Sequence, residues 1–149
     1  MNRKTMETIV TRFALLFVIV ALIILGVTGN LFSASPYVIG VQLLAIALSG
    51  WARISFPTGT FRVDATSGAT TVIRRGPYRL IRHPMYSAVL MLFWSGILSH
   101  INWWTLVLGG FITALIATRI VLEERALRQQ FSDYEAYVKE TKAVIPYVL

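Results

Sequence analysis

The sequence predicts an all-α, multi-pass membrane protein with about four transmembrane helices, a cytoplasmic loop and a C-terminal interfacial helix. Of the 149 residues, 56% are hydrophobic and only 14% are charged, whereas soluble domains carry about 25% charged residues. The apolar residues occur in long runs instead of the short alternations of half-buried strands. The basic residues form separate patches between these runs, which predicts helices that cross a bilayer.

The basic residues lie at positions 3–12, 53–82 and 119–142. This is the positive-inside pattern, in which the cytoplasmic loops of a membrane protein carry an excess of Lys and Arg. It places all three patches and both termini on the cytoplasmic face, and we expect a bacterial or archaeal plasma membrane. The net charge of +7 is then explained by orientation and by contact with anionic lipids. No nucleic-acid partner is predicted.

Phe13–Gly29 and Pro36–Ala52 are the first two predicted spanning helices. Each is close to the roughly 17 to 25 apolar residues that a bilayer requires. A secretory signal peptide is the alternative for the first run, because basic residues precede it. That run is longer than the usual apolar core of a signal peptide, about 7 to 15 residues, so we interpret it as a transmembrane helix.

The apolar run from Met85 to Thr118 contains no charged residue and is too long for one crossing. It predicts a helical hairpin whose turn is the polar group at positions 99–102, with tryptophans beside it as interfacial anchors. The third helix, Met85–Leu98, is short for a full crossing. The fourth leaves the membrane at Arg119.

Beyond Arg119, apolar residues recur every three to five positions, which predicts an amphipathic helix at the cytoplasmic surface. The apolar C-terminal residues are expected to fold back over the site. The chain is therefore interpreted as one domain in four parts, namely residues 1–52 with the first two helices, 53–84 with the cytoplasmic loop, 85–118 with the hairpin, and 119–149 with the C-terminal helix and tail.

The end of the cytoplasmic loop has the features of a helix start that binds an anion. Pro84 suits a first helical turn, because proline lacks the N–H that would be unpaired there and its φ is already helical. The N–H groups of Met85 and Tyr86 then face the basic segment at the positive end of the helix dipole, where a carboxylate or phosphate is favoured. His83 lies beside them. The arginines of this loop are expected to contact lipid headgroups: Arg74, Arg75, Arg79 and Arg82.

Arg119 and Glu123 lie one helical turn apart on one face, and Glu124 is adjacent. On their own they would be a salt-bridged helix end with a snorkelling arginine. The hairpin, however, returns the end of the fourth helix to the level at which the third begins. We therefore expect these side chains to meet the Tyr78–Tyr86 segment in a polar pocket, open to water on one side and to lipid on the other.

Three motifs surround the hairpin: Gly-Pro-Tyr-Arg-Leu-Ile-Arg-His-Pro-Met-Tyr at 76–86, Glu-Glu-Arg-Ala-Leu at 123–127 and Phe-Ser-Asp-Tyr-Glu-Ala-Tyr at 131–137. Together they resemble the superfamily of isoprenylcysteine carboxyl methyltransferases and phospholipid methyltransferases. The resemblance covers the chain from Thr70 to its end, and the first two helices match only in hydropathy. The chain departs from the pattern at Ala88, where members usually have glycine.

The resemblance implies S-adenosylmethionine as the methyl donor, held at the cytoplasmic face without a Rossmann fold, and S-adenosylhomocysteine as the product. It implies Glu123 as a cofactor-binding acid and Arg119 as an arginine on the substrate side. The other cofactor positions that it implies are Thr70, Thr71, Val72, Ile73, Tyr78, His83, Pro84, Met85 and Tyr86.

The side-chain chemistry agrees with two kinds of acceptor. A carboxylate acceptor needs no base, only a clamp such as Arg119, whereas an amine acceptor must lose a proton, for which Glu124 or water is the candidate. We predict methyl transfer to a lipidic or prenylated acceptor that enters from the bilayer, with carboxyl O-methylation of an isoprenylcysteine-like substrate preferred. N-methylation of a phospholipid amine is the alternative. The sequence does not determine the oligomeric state.

Other classes of function are less consistent with the sequence. The chain has no cysteine and only two histidines, so no thiolate nucleophile and no metal site are predicted. A small four-helix transporter would need an acid within its spans, and neither Phe13–Ala52 nor Met85–Thr118 contains one. A non-catalytic membrane subunit is kept as an alternative, although the complete set of polar residues counts against it.

Overall fold

The computed structural model describes the backbone of residues 3–55 and 72–145 and the side chains of residues 13–55 and 72–145. Within these ranges the chain is all-helical, which confirms the predicted fold class for the described residues. The helices are α1 (Arg3–Val27), α2 (Pro36–Ile54), α3 (Pro84–Ser99), α4 (Trp103–Gln130) and α5 (Tyr134–Glu140), with a 3₁₀ helix at Gly76–Arg79.

Two helices are long and apolar enough to cross a membrane, α2 and α4. The apolar segments Phe13–Val27 and Pro84–Ser99 are shorter. At 1.5 Å per residue α3 is about 24 Å long, less than the hydrocarbon core of about 30 Å. The short third helix is therefore as predicted, while the crossing of the bilayer by all four helices stays a prediction.

The helices pack in pairs: α2 on α3, α1 on α4, and α3 on α4. The buried core between them includes Leu25, Phe93, Ile97, Ile112 and Ile116. The backbone after α1 approaches α3 closely at Gly96, where a Cβ atom would lie 2.5 Å from the carbonyl oxygen of Leu31. Many large apolar side chains of α1, α2 and α4 are exposed, which is typical of a surface that contacts lipid.

The hairpin turn lies where the sequence predicts it. α3 begins at Pro84 and ends at Ser99, and α4 begins at Trp103. The side chain of Asn102 accepts a hydrogen bond from the Thr105 N–H at 3.0 Å, and Thr105 Oγ1 accepts one from the Asn102 N–H at 3.4 Å. This reciprocal capping box fixes the start of α4.

The C-terminal region differs from the prediction. α4 continues without a break past Arg119, where it is predicted to leave the membrane, to Gln130, because no glycine or proline interrupts that stretch. It ends where Phe131 adopts an extended conformation with φ −123° and ψ 120°. The predicted amphipathic helix is therefore the last part of α4 followed by the separate short helix α5, and Arg119 and Glu123 lie within one continuous helix.

After α5 the chain returns to the start of α3. Ile81 and Lys142 form an isolated parallel bridge, in which the Lys142 N–H donates to the Leu80 carbonyl at 3.1 Å and the Arg82 N–H donates to the Lys142 carbonyl at 2.7 Å. We call residues 141–145 the C-terminal strap. Residues 146–149 of the predicted tail lie outside the described residues.

Candidate active site

The segment before α3 is attached to the end of α2. Gly76 has a φ of +60°, and a Cβ atom there would lie 2.0 Å from Ser55 Oγ, so glycine is required on both counts. Arg75 Nε donates to the Ser55 carbonyl oxygen at 3.0 Å, where a cation is favoured by the helix dipole. The Tyr78 carbonyl accepts a hydrogen bond from Tyr137 Oη at 2.7 Å, which ties the segment to α5 as well.

His83 occupies the N-cap position of α3, but its side chain makes no capping hydrogen bond. Its ring is buried and stacks on Tyr86, with ring centroids 5.6 Å apart. Its Nδ1 atom lies 3.8 Å from Glu123 Oε2, and its Nε2 atom lies 3.4 Å from Glu124 Oε1. The imidazole therefore lies between the two adjacent carboxylates of α4.

Glu123 is the point at which α3 and α4 meet. Tyr86 Oη donates to Glu123 Oε1 at 2.5 Å, and Arg119 Nε donates to the same oxygen at 3.0 Å. The guanidinium carbon of Arg119 lies 5.5 Å from the centroid of the Tyr86 ring, within the range of a cation–π contact. Arg119 is only 6% exposed, so its charge is buried against a carboxylate and an aromatic face.

Glu124 belongs to a second ion-pair group on the other side of His83. Arg82 Nε donates to Glu124 Oε1 at 2.7 Å, and Arg128 Nη2 lies 3.5 Å from Glu124 Oε2. Arg128 also pairs with Glu135 of α5. Glu124 is therefore surrounded by donors and cations, which stabilise its ionised form.

The expectation that Arg82 contacts lipid headgroups is wrong, and Arg74 is paired with acids, although its side chain is 36% exposed. Arg74 pairs with Asp133 at 3.2 Å and with Glu140 at 3.3 Å. The side chain of Arg82 is 10% exposed and pairs with Glu124. Both arginines lie within reach of acids from the C-terminal helices, which a count of loop charges does not reveal.

Buried tyrosines line the side of this region formed by the 3₁₀ helix and α5. Burial, together with the nearby Tyr137 and Glu123, raises the pKa of Tyr78, and burial and Glu124 raise that of Tyr134. Burial also raises the pKa of Tyr137 to about 12, although Arg82 and Arg74 oppose the shift. All three are neutral phenols at physiological pH. Tyr134 Oη has no hydrogen-bond partner within the described residues.

The structure brings together the predicted residues at the α3 start and on α4: His83, Tyr86, Arg119, Glu123 and Glu124. Pro84 is buried and Met85 is half-buried in the same helical turn.

Val72 and Ile73 are half-buried in the segment before the 3₁₀ helix. Thr70 and Thr71 lie outside the described residues. Ala88, where the family pattern has glycine, is buried.

Sequence reasoning expected the apolar C-terminal residues to fold back over the site, but it missed the contacts that Arg82, Tyr137 and residues 141–143 make there. Their contacts join residues that are far apart in the chain, as between Arg82 and Thr141 or between Tyr137 and Tyr78. The sequence carries acids at 124, 133 and 140 that could pair with the arginines at 74 and 82, but it does not show which pairs form.

The chemistry of these groups fits S-adenosylmethionine, which carries a carboxylate, an ammonium group, ribose hydroxyls and a sulfonium. The first-turn N–H groups of Met85 and Tyr86 have no intrahelical acceptor. His83 Nε2 is buried and makes no hydrogen bond within the described part of the chain. These donors suit a carboxylate, and Glu123 suits an ammonium or a ribose hydroxyl. The described residues contain no cluster of His, Cys, Asp and Glu that would hold a metal ion.

A comparison with known families gives a match over most of the helical part of the chain. The model of the phospholipid methyltransferase family matches residues 37–134, from the first turn of α2 to the first residue of α5. The match extends further toward the N-terminus than the resemblance that begins at Thr70. No curated protein and no solved structure matches the chain. Because the family model covers more than half of the sequence, the chain belongs to the phospholipid methyltransferase family, the members of which are membrane methyltransferases.

Proposed function

We propose that this chain is an S-adenosylmethionine-dependent methyltransferase that methylates a lipidic acceptor at the cytoplasmic face of the membrane. Family membership supports the reaction class. The observation that carries the finer proposal is the joint between α3 and α4, where Tyr86 and Arg119 both donate to Glu123 beside the buried ring of His83. A cluster of this kind places hydrogen-bond donors, an acceptor and aromatic faces around one small volume.

The roles follow from the chemistry of each group. The free N–H groups at the start of α3 and His83 would bind the carboxylate of the cofactor, because the positive end of the helix dipole adds to their attraction. Glu123 would accept from the ammonium group or the ribose. Tyr86 presents an aromatic face, which attracts a sulfonium as it attracts other cations.

When bound, S-adenosylmethionine supplies a methyl group on a positively charged sulfur, and the hard chemistry is therefore that of the cofactor. The contribution of the chain is to hold the acceptor in line with that group, for which positioning alone accounts for a large part of rate enhancement. The hydrogen bonds among Tyr86, Glu123 and Arg119 keep the two helices at a fixed separation for this purpose.

A carboxylate is the acceptor that the ion pairs favour. An amine acceptor requires a base, and the candidate, Glu124, is held as an anion by Arg82 at 2.7 Å with Arg128 and His83 nearby. A carboxylate in such surroundings accepts a proton poorly. A carboxylate acceptor needs no base, and Arg119 is a suitable clamp because its planar guanidinium matches carboxylate geometry. We therefore propose O-methylation of an isoprenylcysteine-like acid.

N-methylation of a phospholipid amine is the second candidate, and the family match favours it, because the matching family is described by its phospholipid acceptors. In that case water would take the proton from the amine, with Glu124 acting only through its charge. The two candidates predict products that differ in stability toward alkali, because a methyl ester is hydrolysed and an N-methyl group is not.

The test is incubation of the purified protein in vesicles with methyl-labelled S-adenosylmethionine and either a prenylcysteine or phosphatidylethanolamine. O-methylation predicts label in the prenylcysteine fraction that is released as methanol by alkali. Alkali-stable label in the phospholipid would support the second candidate. A folded protein that labels neither acceptor, nor any component of a total lipid extract, would contradict the proposed function.

A further inference from the structure

Arg82 connects three parts of the chain through one guanidinium group. Its Nε donates to Glu124 Oε1 on α4 at 2.7 Å, and its Nη1 donates to the carbonyl oxygen of Thr141 at 2.5 Å and to that of Val138 at 3.3 Å. Glu124 and the end of α5 are therefore joined at the residue that precedes His83. The side chain is 10% exposed, so these bonds are largely shielded from water.

The C-terminal strap continues these contacts along the backbone of the motif. The His83 N–H donates to the Ala143 carbonyl at 3.0 Å. Ser87 Oγ, one turn further along α3, donates to the Val144 carbonyl at 2.6 Å. The strap is therefore hydrogen-bonded to the backbone of Arg82 and His83 and to the side chain of Ser87, and it has little freedom to leave without moving His83.

We propose that Arg82 is a positioning residue of the methyl-transfer site: it locks the C-terminal strap to Glu124, and the strap holds His83 between Glu123 and Glu124. This inference rests on the proposed function, because the exact position of His83 matters to activity only if the ring contacts the cofactor. It assigns Glu124 to the support of the site, together with Arg82, in preference to a role as a base.

The geometry requires an arginine. The bonds to Glu124 and to the strap leave the guanidinium in different directions from different nitrogen atoms, which a planar group with several fixed donors permits. A lysine ammonium has the same charge but one nitrogen atom, so it can reach Glu124 or the strap carbonyls with good geometry, but not both at full strength. The Arg82→Lys variant therefore tests whether the positive charge is sufficient or the geometry of the guanidinium group is also required.

Arg74 provides a matched control. It also ties α5 to the loop, through Asp133 and Glu140, but its side chain is 36% exposed and both of its acid partners are more exposed still. Replacement of either arginine by methionine removes one cation that contacts α5. Only the replacement of Arg82 would release Glu124 and the strap.

The experiment measures two properties of Arg82→Met, Arg82→Lys, Ser87→Ala and Arg74→Met in detergent or nanodiscs. The first is the Kd for S-adenosylhomocysteine by calorimetry. The second is hydrogen exchange at the amides of His83 and Lys142, which donate to strap or motif carbonyls, measured without ligand. Thermal unfolding verifies that each sample is folded.

We expect Arg82→Met to raise the Kd about tenfold, which corresponds to about 1.4 kcal/mol, the size of a hydrogen bond to a charged group. Arg82→Lys should recover part of this loss, and Ser87→Ala should raise the Kd about threefold, as expected for one neutral hydrogen bond. Hydrogen exchange at the amides of His83 and Lys142 should accelerate most in the variants whose Kd rises most. Arg74→Met should leave both the Kd and the exchange rates within about twofold of the wild type, because exposed ion pairs contribute little.

A purely structural role would lower the unfolding temperature of Arg82→Met but leave the Kd of the folded protein unchanged, and that result would overturn the inference. If Arg82→Met does not fold, wild-type affinity in both Arg82→Lys and Ser87→Ala would overturn it equally. A wild-type protein that is folded and does not bind S-adenosylhomocysteine would remove the proposed function, and this inference with it, so the two failures are distinguishable.

Discussion

Tyr86 Oη and Glu123 Oε1 lie 2.5 Å apart, in a hydrogen bond that joins the first turn of α3 to the part of α4 beyond its uncharged stretch. The two residues are 37 positions apart in the chain. Their contact shows that the hairpin returns α4 to the level at which α3 starts. Glu123 is thereby placed beside His83 and Arg119, and this arrangement is the basis of the proposed site.

Replacement of Tyr86 by phenylalanine should weaken cofactor binding while the fold is retained. The change removes only the hydroxyl that donates to Glu123 and keeps the ring that stacks on His83. We expect the Kd for S-adenosylhomocysteine to rise about tenfold, because a hydrogen bond to a charged acceptor contributes about 1.5 to 3 kcal/mol. Calorimetric titration measures this.

Tyr37→Phe is the matched control, since this tyrosine of α2 is 85% exposed. Its Kd should equal that of the wild type. Equal affinity in Tyr86→Phe and Tyr37→Phe would show that the hydroxyl of Tyr86 does not help to form the binding site.

Replacement of Gly76 by alanine should destabilise the protein. The new methyl group would meet Ser55 Oγ, and the residue would keep a positive φ. Backbone strain of this kind costs about 1 to 3 kcal/mol. Unfolding in denaturant should show a loss in this range, and Ser55→Ala in the same chain should restore only the steric part of it.

Gly110→Ala is expected to have the opposite sign. At this exposed glycine of α4, a Cβ atom would meet no other atom within 4 Å, and alanine is favoured over glycine in a helix by about 1 kcal/mol. The absence of a loss at Gly76 would contradict the packing described between the motif and α2, and a loss of stability at Gly110 would contradict the open surroundings of that position on α4.

Anionic lipid should increase the activity of the reconstituted protein. The described carboxylates of α4 and α5 are all paired with arginine, whereas five exposed cations form no ion pair with an acid within the described ranges: Arg75, Arg79, Arg125, Lys139 and Lys142. Each basic residue near an anionic surface contributes about 1 kcal/mol. We expect higher activity in phosphatidylglycerol vesicles than in neutral vesicles, and an effect that declines with salt.

Neutralisation of Arg79 and Lys142 by glutamine should reduce this lipid effect without changing the Kd for S-adenosylhomocysteine measured in detergent. The measurement compares the ratio of activities in the two kinds of vesicle. A ratio that is the same for the wild type and the double variant would show that these cations do not contact the membrane surface.

The sequence was sufficient to predict the parts of the fold that follow from local patterns. A long uncharged run with a polar interruption at 99–102 predicts the hairpin, and Pro84 predicts the start of α3; the structure has both. The meeting of Tyr86 with Glu123 follows from these two features, because α4 runs back antiparallel to α3 and, as the longer helix, extends past its start. Hydropathy alone contained this information.

The environment of Arg82 was not predictable in the same way. Its partners Glu124 and Thr141 come from distant segments, and two of its bonds go to backbone carbonyls, which carry no signal in side-chain periodicity. The break between α4 and α5 was also not predicted, because the apolar residues recur at helical spacing on both sides of it. Tertiary contacts of the last part of the chain determine both features.

The most direct test of the account is calorimetric titration of the purified, folded wild type with S-adenosylhomocysteine, beside Glu123→Gln and the exposed control Glu140→Gln. We predict saturable binding by the wild type and the control, and a loss of at least about tenfold in affinity for Glu123→Gln, since that change removes the charge that pairs with Arg119 and would bind the cofactor. Absence of binding by the folded wild type, or equal affinity in all three proteins, would contradict the proposal that the joint between α3 and α4 binds the methyl donor.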